Sequence, residues 1–352
     1  MLMSRLKEFR TIMNSIKSVW NKDKKAAIVM LIGVNGSAYR LPGTKMMMAE
    51  DAEMMGTISG GCLEGDIYGY AEKAIQDATP MLKNYDLSDN EIWSLGIGCK
   101  GSLEIFILPT KKDDAFWEET DRLLNKDEEF SFIVEVPMGI KTLVTKDGEV
   151  IGDSEYLPSI VYEGALQSLK SQKRAEVLKW EGRRFVIDAI RPSQRLIVAG
   201  AGKDAIPVVE LAAKAGFAVT VLDPRSEFNS ERYFPAATHL VELPENINSE
   251  NVKGSWWVIM NHLQSRDEEA LHLALQSNPK YIGVLGPVSR TQEMLLNIGV
   301  DLNIGEEIYS PVGLDIGAET MEEVAISIVS ELMAVRSNRE GKSLKGKVKI
   351  HV

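Results

Sequence analysis

A chain of 352 residues exceeds the roughly 250 at which one hydrophobic core stops growing, so two domains are expected. Its net charge of -11 disfavours a general role in coating nucleic acid, which depends on Lys and Arg neutralising phosphates. Hydrophobic content of 44% with 26% charged residues is that of an ordinary globular chain, and no apolar run reaches the roughly 20 residues of a membrane span. The N-terminal MLMSRLKEFRTIMNSIKSVW is an amphipathic helix pattern, unlike a signal peptide, so a cytoplasmic location is expected. Two cysteines cannot make a disulfide framework; in that compartment they read as free thiols, ligands or a redox pair.

In chain order, a helix near residues 4–21 precedes the apolar run AAIVMLIGV, a helix over 62–77 and the strand SLEIFIL. DDAFWEETDRLLN reads as a further helix, FSFIVEVP as a strand, and KTLVTKDGEVIGD as a hairpin turning at Asp147-Gly148. EVLKWEGRRFVIDAI, with Glu181-Gly182, completes an α/β first domain over 1–190. The polar stretch RPSQ, residues 191–194, opens the second domain, assigned to 191–338 and followed by a basic tail over 339–352. From Arg195, short apolar runs alternate with helical patterns, which predicts a Rossmann-like doubly wound parallel sheet. Thr320 and Glu323 form a capping box before a last helix lined by Val324, Ile328, Leu332 and Val335. No internal repeat is evident.

Two short segments of the first domain carry its chemistry. In GTISGGCLEGD, Gly60 and Gly61 precede Cys62, and Leu63, Ile67, Ala71, Ala74 and Ile75 form a helical stripe that sets Cys62 beside a helix N-terminus. Such a position favours the thiolate, and the glycines would leave amides open to an anion. Glu64 and Asp66 oppose the thiolate. GIGCKGS repeats the setting with Gly98 and Cys99. The two cysteines lack a further Cys or His at zinc spacing, so a soft metal centre or a sulfur-bearing cofactor suits them better than tetrahedral zinc.

RLIVAGAGKDAIPVVELAAKAG places Gly200, Gly202 and Ala205 in a G-x-G-x-x-A pattern between a strand and a helix, the context of a dinucleotide fingerprint. Gly200 suits the tight turn and Gly202 a close approach of pyrophosphate, from NAD(P) or another nucleotide; a mouth tight for structural reasons, or one that holds another phosphate-bearing molecule, is the alternative. Asp223 ends the next strand, where a carboxylate accepts from ribose hydroxyls, and Arg225 stands where it could meet a 2'-phosphate. Lys203 is a further phosphate contact and Asp204 a helix cap. His262 follows WWVIMN at a strand's carboxyl end, either a loop hydrogen-bonder or part of a ligand site.

These motifs together resemble the xanthine dehydrogenase accessory factor family, which includes accessory proteins of carbon monoxide dehydrogenase. The resemblance rests on GSAYRLPGTKM, GTISGGCLEGDI and GIGCKGSLEIFI in the first half. In the second it rests on VAGAGKDAIPVVELAAKAGFAVTVLDPR, VIMNH, YIGVLGPVSR and PVGLDIGAETMEEVAISIVSEL. It implies a chaperone that binds the molybdenum cofactor (molybdopterin), supports exchange of a metal ligand for sulfur, and delivers the product to a molybdenum hydroxylase such as xanthine dehydrogenase. A cysteine desulfurase is the implied sulfur donor. Cys62 and Cys99 match the family's glycine-flanked cysteines, the candidates for molybdenum or its sulfur; Gly200, Gly202 and Asp223 match its fingerprint. The chain departs from the pattern at Lys203, where histidine is common, at Asn261, where threonine is, and at Lys100, where glycine is.

Such a protein acts on a client enzyme and need not turn over a metabolite. The competing readings are an NAD(P)-dependent oxidoreductase using the Rossmann-like domain, with Cys62 or His262 contributing to catalysis, and a redox sensor closing a Cys62–Cys99 disulfide. A homodimer is expected because symmetric pairs are the commonest soluble assembly.

Overall fold

The computed structural model describes residues 5–36, 40–61, 63–86, 101–171, 175–301 and 308–346. The chain forms two compact units, one from Arg5 to Pro192 and one from Ser193 to Ser343. The structure is mixed α/β: antiparallel sheets with helices in the first unit, a parallel sheet in the second.

The first unit opens with α1 (Arg5–Asn21), whose Leu6, Phe9, Ile12, Met13, Ile16 and Val19 recur at helical spacing and are all buried. Strands β1 (Ala26–Gly36), β2 (Lys45–Ala49) and β3 (Met54–Met55) follow, then α2 (Glu64–Asp77), β4 (Met81–Asp86) and β5 (Gly101–Pro109). They make an antiparallel sheet in the order β3-β2-β1-β5-β4. The chain then runs through α3 (Ala115–Asn125), β6 (Phe130–Val136), β7 (Lys141–Thr145), β8 (Val150–Gly152), α4 (Ser159–Lys170), β9 (Glu176–Trp180) and β10 (Arg183–Ile190). The second sheet has the order β8-β7-β6-β10-β9.

The unit is therefore one module used twice: helix, three strands, helix, two strands, with the same strand order. This corrects the expectation of no internal repeat. The ladders agree residue by residue. Ala26 pairs with Ala49 and Met30 with Lys45 in the first copy; Phe130 pairs with Thr145 and Val134 with Lys141 in the second. Met47 and Met48 pair with Met55 and Met54 as Leu143 and Val144 pair with Ile151 and Val150. Identity survives where the backbone demands a residue type. Asn21-Lys22-Asp23 and Asn125-Lys126-Asp127 end the first helix of each copy, and both aspartates have φ of 56°. Gly56 and Gly152 follow β3 and end β8 with φ of 94° and 97°, conformations that favour glycine. On the sheet faces the apolar character is mostly kept without the identity, because a sheet face specifies burial and not identity.

The two copies share a core of α1, α3 and the facing sides of both sheets, built around Phe9, Phe106, Trp117, Phe130 and Phe132. Helix α2 covers the other face of the first sheet through Ile67, Ala71, Ala74 and Ile75, and α4 covers the other face of the second through Val161 and Ala165. One buried ion cluster ties copy to copy: Lys45 of β2 and Arg5 of α1 both bond the Asp188 carboxylate of β10. Lys45 and Asp188 are almost wholly buried, and the Lys45 ammonium lies over the rings of Phe9 and Phe132.

The second unit is a parallel sheet of β11 (Arg195–Ala199), β12 (Ala218–Leu222), β13 (Thr238–Leu240), β14 (Trp256–Ile259), β15 (Tyr281–Val284) and β16 (Ile308–Tyr309), ordered β13-β12-β11-β14-β15-β16. Successive residues alternate between its two cores. Leu196, Val198 and Val258 face α5 (Ala205–Lys214) and α8 (Met321–Arg336). Ile197, Trp257 and Ile259 face α6 (Gln264–Gln276) and α7 (Val288–Asn297). The capping box at Thr320 and Glu323 is formed, and α8 packs against α5 in this unit.

Candidate functional site

The two copies of the module agree in length at one end of their sheets and differ at the other. Between the paired Leu31 and Thr44 lie residues 32–43; between their counterparts Glu135 and Ile140 lie only 136–139. Between paired Tyr85 and Leu103 lie 86–102, where Glu181 and Gly182 alone join paired Trp180 and Arg183. From Gly56 to the helix cap Leu63 the first copy is one residue longer than the second from Gly152 to the cap Pro158. All three longer connections stand at the carboxyl end of β1: Gly36 pairs with Gly101, and Asp86 with Ser102. The N-terminus of α2 is at that end too, since the Tyr85 hydroxyl donates to Asp66 Oδ2 at 2.7 Å. Partial burial, then Asp66, push the Tyr85 phenol well above its usual range, so it is the donor.

The connection into α2 is organised by Glu64. Its Oε1 accepts from the Thr57 hydroxyl at 2.7 Å and from the amides of Ile58 at 3.0 Å and Ser59 at 2.8 Å. Its Oε2 accepts from the Ser59 hydroxyl and from the amides of Gly61 at 2.9 Å and Leu63 at 3.2 Å. Ser59 Oγ also accepts from the Leu63 amide at 2.8 Å, and Thr57 Oγ1 from the Gly60 amide at 2.9 Å. Partial burial pushes the Glu64 carboxyl up, but the Ser59 and Thr57 hydroxyls and the amides outweigh it and hold it at about 2. The expectation of amides left open to an anion is thus corrected: those of Gly60 and Gly61 are taken by Thr57 and Glu64, and these glycines shape the loop. Cys62, Gly98 and Cys99 lie outside the described residues. The hydroxyl-rich spacing Thr57-x-Ser59 ahead of Glu64 was the available signal for this network.

In the second unit the crevice lies between β11 and β14, where the strand order reverses. Gly200 has φ of 118°, and a Cβ there would stand 2.9 Å from the Met260 carbonyl oxygen, so the tight turn is needed against β14. At Gly202 a Cβ would run into Asp204 Oδ1 and stand 3.0 Å from His262 Nε2. The space above this glycine is filled by the chain's own carboxylate and imidazole, not left for a pyrophosphate. Asp204 makes no cap bond to α5, contrary to expectation. Its buried Oδ1 accepts no hydrogen bond and lies 3.3 Å from Nε2 of the exposed His262, an ion pair only when the imidazole is protonated. Lys203 beside it is exposed.

Asp223 is also differently engaged from a ribose acceptor. The buried carboxylate takes the Ala201 amide at 2.9 Å and the Arg225 guanidinium at 2.7 and 2.9 Å, with the Arg225 amide at 2.9 Å. Burial pushes this carboxyl up, but the Arg225 side chain and the two amides outweigh it and hold it below its ordinary value. Asp223 and Arg225 therefore lock the end of β12 to the glycine loop and neutralise each other. A second lock, unforeseen from the sequence, is buried Asp267 of α6, which takes the Asn261 amide at 2.9 Å and Arg290 of α7 at 2.5 Å. The Asn261 side chain also donates to Asp267, from Nδ2 to Oδ1 at 3.0 Å, which gives an asparagine a task at this strand end.

An antiparallel α/β unit with a glycine-cysteine loop, followed by a Rossmann-like unit, defines a class that comparison identifies. Residues 19–86 match the XdhC and CoxI family and residues 196–332 the XdhC Rossmann domain. The chain belongs to this family, the xanthine dehydrogenase accessory factors. It is 28% identical over 319 residues to a Bacillus subtilis protein described as a probable component of xanthine dehydrogenase, covering 89% of this chain and 94% of that protein. It is 22% identical to the molybdenum cofactor insertion chaperone PaoD of Escherichia coli, over 95% of this chain and 90% of the relative. A crystal structure of a Bacillus halodurans protein, described as a xanthine dehydrogenase, aligns over 99% of this chain and all of its own with a TM-score of 0.75 and 26% identity. No helix among the described residues is long and apolar enough to cross a membrane.

Proposed function

We propose that this protein binds the molybdenum cofactor as cargo and supports its maturation and insertion into a molybdenum hydroxylase of the xanthine dehydrogenase type. One observation carries the reading beyond the family resemblance. The three segments of the first unit that bear the family motifs are the three connections in which one copy of a repeated module departs from the other, and all adjoin one end of one sheet. Departure from a shared scaffold at a single end is what a binding site added to a stable fold produces.

Cys62 and Cys99 are the proposed contacts to molybdenum or its sulfur, because thiolates suit a soft centre. Gly60, Gly61 and Gly98 flank them. Taken by itself, the second unit offers exposed Lys203 and His262 to an anionic ligand such as a phosphate. Gly200, Gly202, Asp204, Asp223 and Arg225 hold the walls between which it would lie. An NAD(P) role has no support in this crevice, where the carboxylate that would meet a ribose is spent on Arg225 and Ala201. The partners proposed are a molybdenum hydroxylase as client and a cysteine desulfurase as sulfur donor, with a homodimer as the working assembly.

The test is titration of the purified chain with molybdopterin cofactor, followed by absorbance and by thermal shift. Cys62→Ala and Cys99→Ala should each weaken binding by tenfold or more, about 1.4 kcal/mol. Binding equal to the parent's in both variants would sink the reading.

A further inference from the structure

Helix α8 differs from α5, α6 and α7 in what it shows to solvent. The outward faces of those three are polar: on α5 Glu210 pairs with Lys214, on α6 His272 meets Gln276, and on α7 Gln292, Glu293 and Asn297 are exposed. On α8 the inward residues Ala325, Ile328, Val329 and Leu332 join the core beneath, with Val324 and Val335 packed against it. The outward face is apolar as well. Ile326 and Met333 are 49% and 41% exposed, and half-buried Ser330 lies between them. From Val324 to Val335 the one charged residue is Glu331, and its buried carboxylate accepts from the Tyr281 hydroxyl and from the Gly313 amide at 3.0 Å. Single exposed apolar side chains are ordinary, but a helix apolar all round is the pattern of one that is covered on every side.

The order of residues along the face indicates what covers it. Ile326 and Met333 stand two turns apart on one side of the helix, separated by about 10 Å. A twofold axis passing between Val329 and Ser330 exchanges position 326 with 333 and positions 322 and 323 with 337 and 336. An antiparallel second α8 would therefore set Ile326 of each copy against Met333 of the other. Ser330, being small, falls at the crossing, where packed helix axes approach to about 8–10 Å. The ends agree in charge: Glu322 and Glu323 lie in the first turn and Arg336 in the last, with Arg339 beyond. Antiparallel pairing sets acid against base at both ends and runs the two helix dipoles in opposite directions, whereas a parallel pair would set acid against acid.

We propose that the outward face of α8 is the twofold interface of a homodimer, in which Ile326 of each copy packs on Met333 of the other. The inference rests on the homodimer named above as the working assembly and gives that assembly a surface and a register. The face is self-complementary, which is what an isologous contact requires.

The experiment is sedimentation velocity of the full chain without cofactor, at concentrations from about 1 to about 100 μM, which bracket a micromolar dissociation constant. The parent should sediment as a dimer in the upper part of this range. Ile326→Glu and Met333→Lys each set a charge against an apolar side chain of the other copy and should weaken dimerisation at least tenfold. Their circular dichroism should match the parent's, because both positions are exposed in the single chain. The double variant, Ile326→Glu with Met333→Lys, brings the two new charges together with opposite sign on both sides of the axis and should recover most of the loss. A parent that is monomeric throughout overturns the proposal and leaves the face to another protein, such as the client. Single variants as dimeric as the parent overturn it, and so does a double variant no tighter than the singles. Should a variant not fold, Ser330→Cys in a chain carrying Cys62→Ser and Cys99→Ser gives a second reading: a short bismaleimide should join two copies covalently, and failure to do so overturns the proposal equally. A monomeric parent that binds molybdopterin would remove this interface and leave the cargo reading standing; a dimer of this register that binds none would do the reverse.

Discussion

The two copies of the module in the first unit share a register and a turn vocabulary, yet only one bears the family's motifs. The second copy joins its last two strands by Glu181-Gly182 and its third strand to its helix by a short 3₁₀ turn. The first spends long segments at the corresponding places. The comparison teaches that the scaffold and the site are separable: ladders, cores and the turns at one end are common property, and the chemistry sits in what the first copy adds.

The comparison can be broken most forcefully at a buried ion cluster between the copies. Asp188 belongs to the second copy but neutralises Lys45 and Arg5 of the first. Burial, and then repulsion from Arg5, push the Lys45 ammonium down, and direct pairing with Asp188 is what compensates the charge. Asp188→Asn keeps the shape and removes the carboxylate that buried Lys45 and Arg5 share, so it should cost about 3–5 kcal/mol in urea unfolding, with both copies lost in one transition. A second, separate transition would show that the copies do not form one folding unit. A loss under about 1 kcal/mol would show that the cluster adds little to the core the copies share.

A matched pair of glycines sharpens the equivalence. Gly152→Ala forces a Cβ to 2.7 Å from the Lys141 carbonyl oxygen and 2.8 Å from the Phe116 ring at φ of 97°. Gly56→Ala meets the Lys45 carbonyl oxygen at 3.1 Å and Met46 Cα at 3.2 Å at φ of 94°. Each should destabilise by about 1–3 kcal/mol, with Gly152→Ala the worse because its space is tighter. Equal stability of either variant and the parent, measured by thermal unfolding, would mean that the shared backbone conformation is not demanded at that place.

Much of this was legible in the residues. The hairpin turning at Asp147-Gly148, the stripe of α2 and the capping box at Thr320 follow from spacing, because turns, amphipathic faces and caps are local. The repeat was hidden because β-sheet pairing keeps burial and discards identity: Met47 stands where Leu143 does, Met55 where Ile151 does. Its clearest traces are Asn21-Lys22-Asp23 with Asn125-Lys126-Asp127, Gly43-Thr44-Lys45 with Gly139-Ile140-Lys141, Asp51 with Asp147, Glu53 with Glu149, and Gly56 with Gly152. At the Rossmann-like crevice the fingerprint marks the strand, turn and helix, but not which groups fill the turn. Gly202 is small for the sake of Asp204 and His262, and Asp223 is bound by a neighbour two residues away. Side-chain partners of that kind depend on rotamers, which spacing does not encode.

The finest discrimination between the copies is by pH. Glu64 is held at about 2, below the ordinary value near 4.5, so its folded-state bonds stabilise the first copy fully above that ordinary value. The contribution is then lost as pH falls from about 4.5 toward 2, because the unfolded chain takes up the proton first. Ser159, at the corresponding place in the second copy, cannot titrate in this range. Parent and Glu64→Gln should therefore differ in urea midpoint at pH 6 and converge as the pH approaches 2, by an amount smaller than that of the buried Asp188. Because the carboxylate's donors come from the loop alone, amide exchange in residues 57–61 should quicken over the same pH interval, after correction for the intrinsic rate, while that in α4 does not. A constant difference between parent and variant across the interval would mean that the Glu64 network contributes through shape and not through charge.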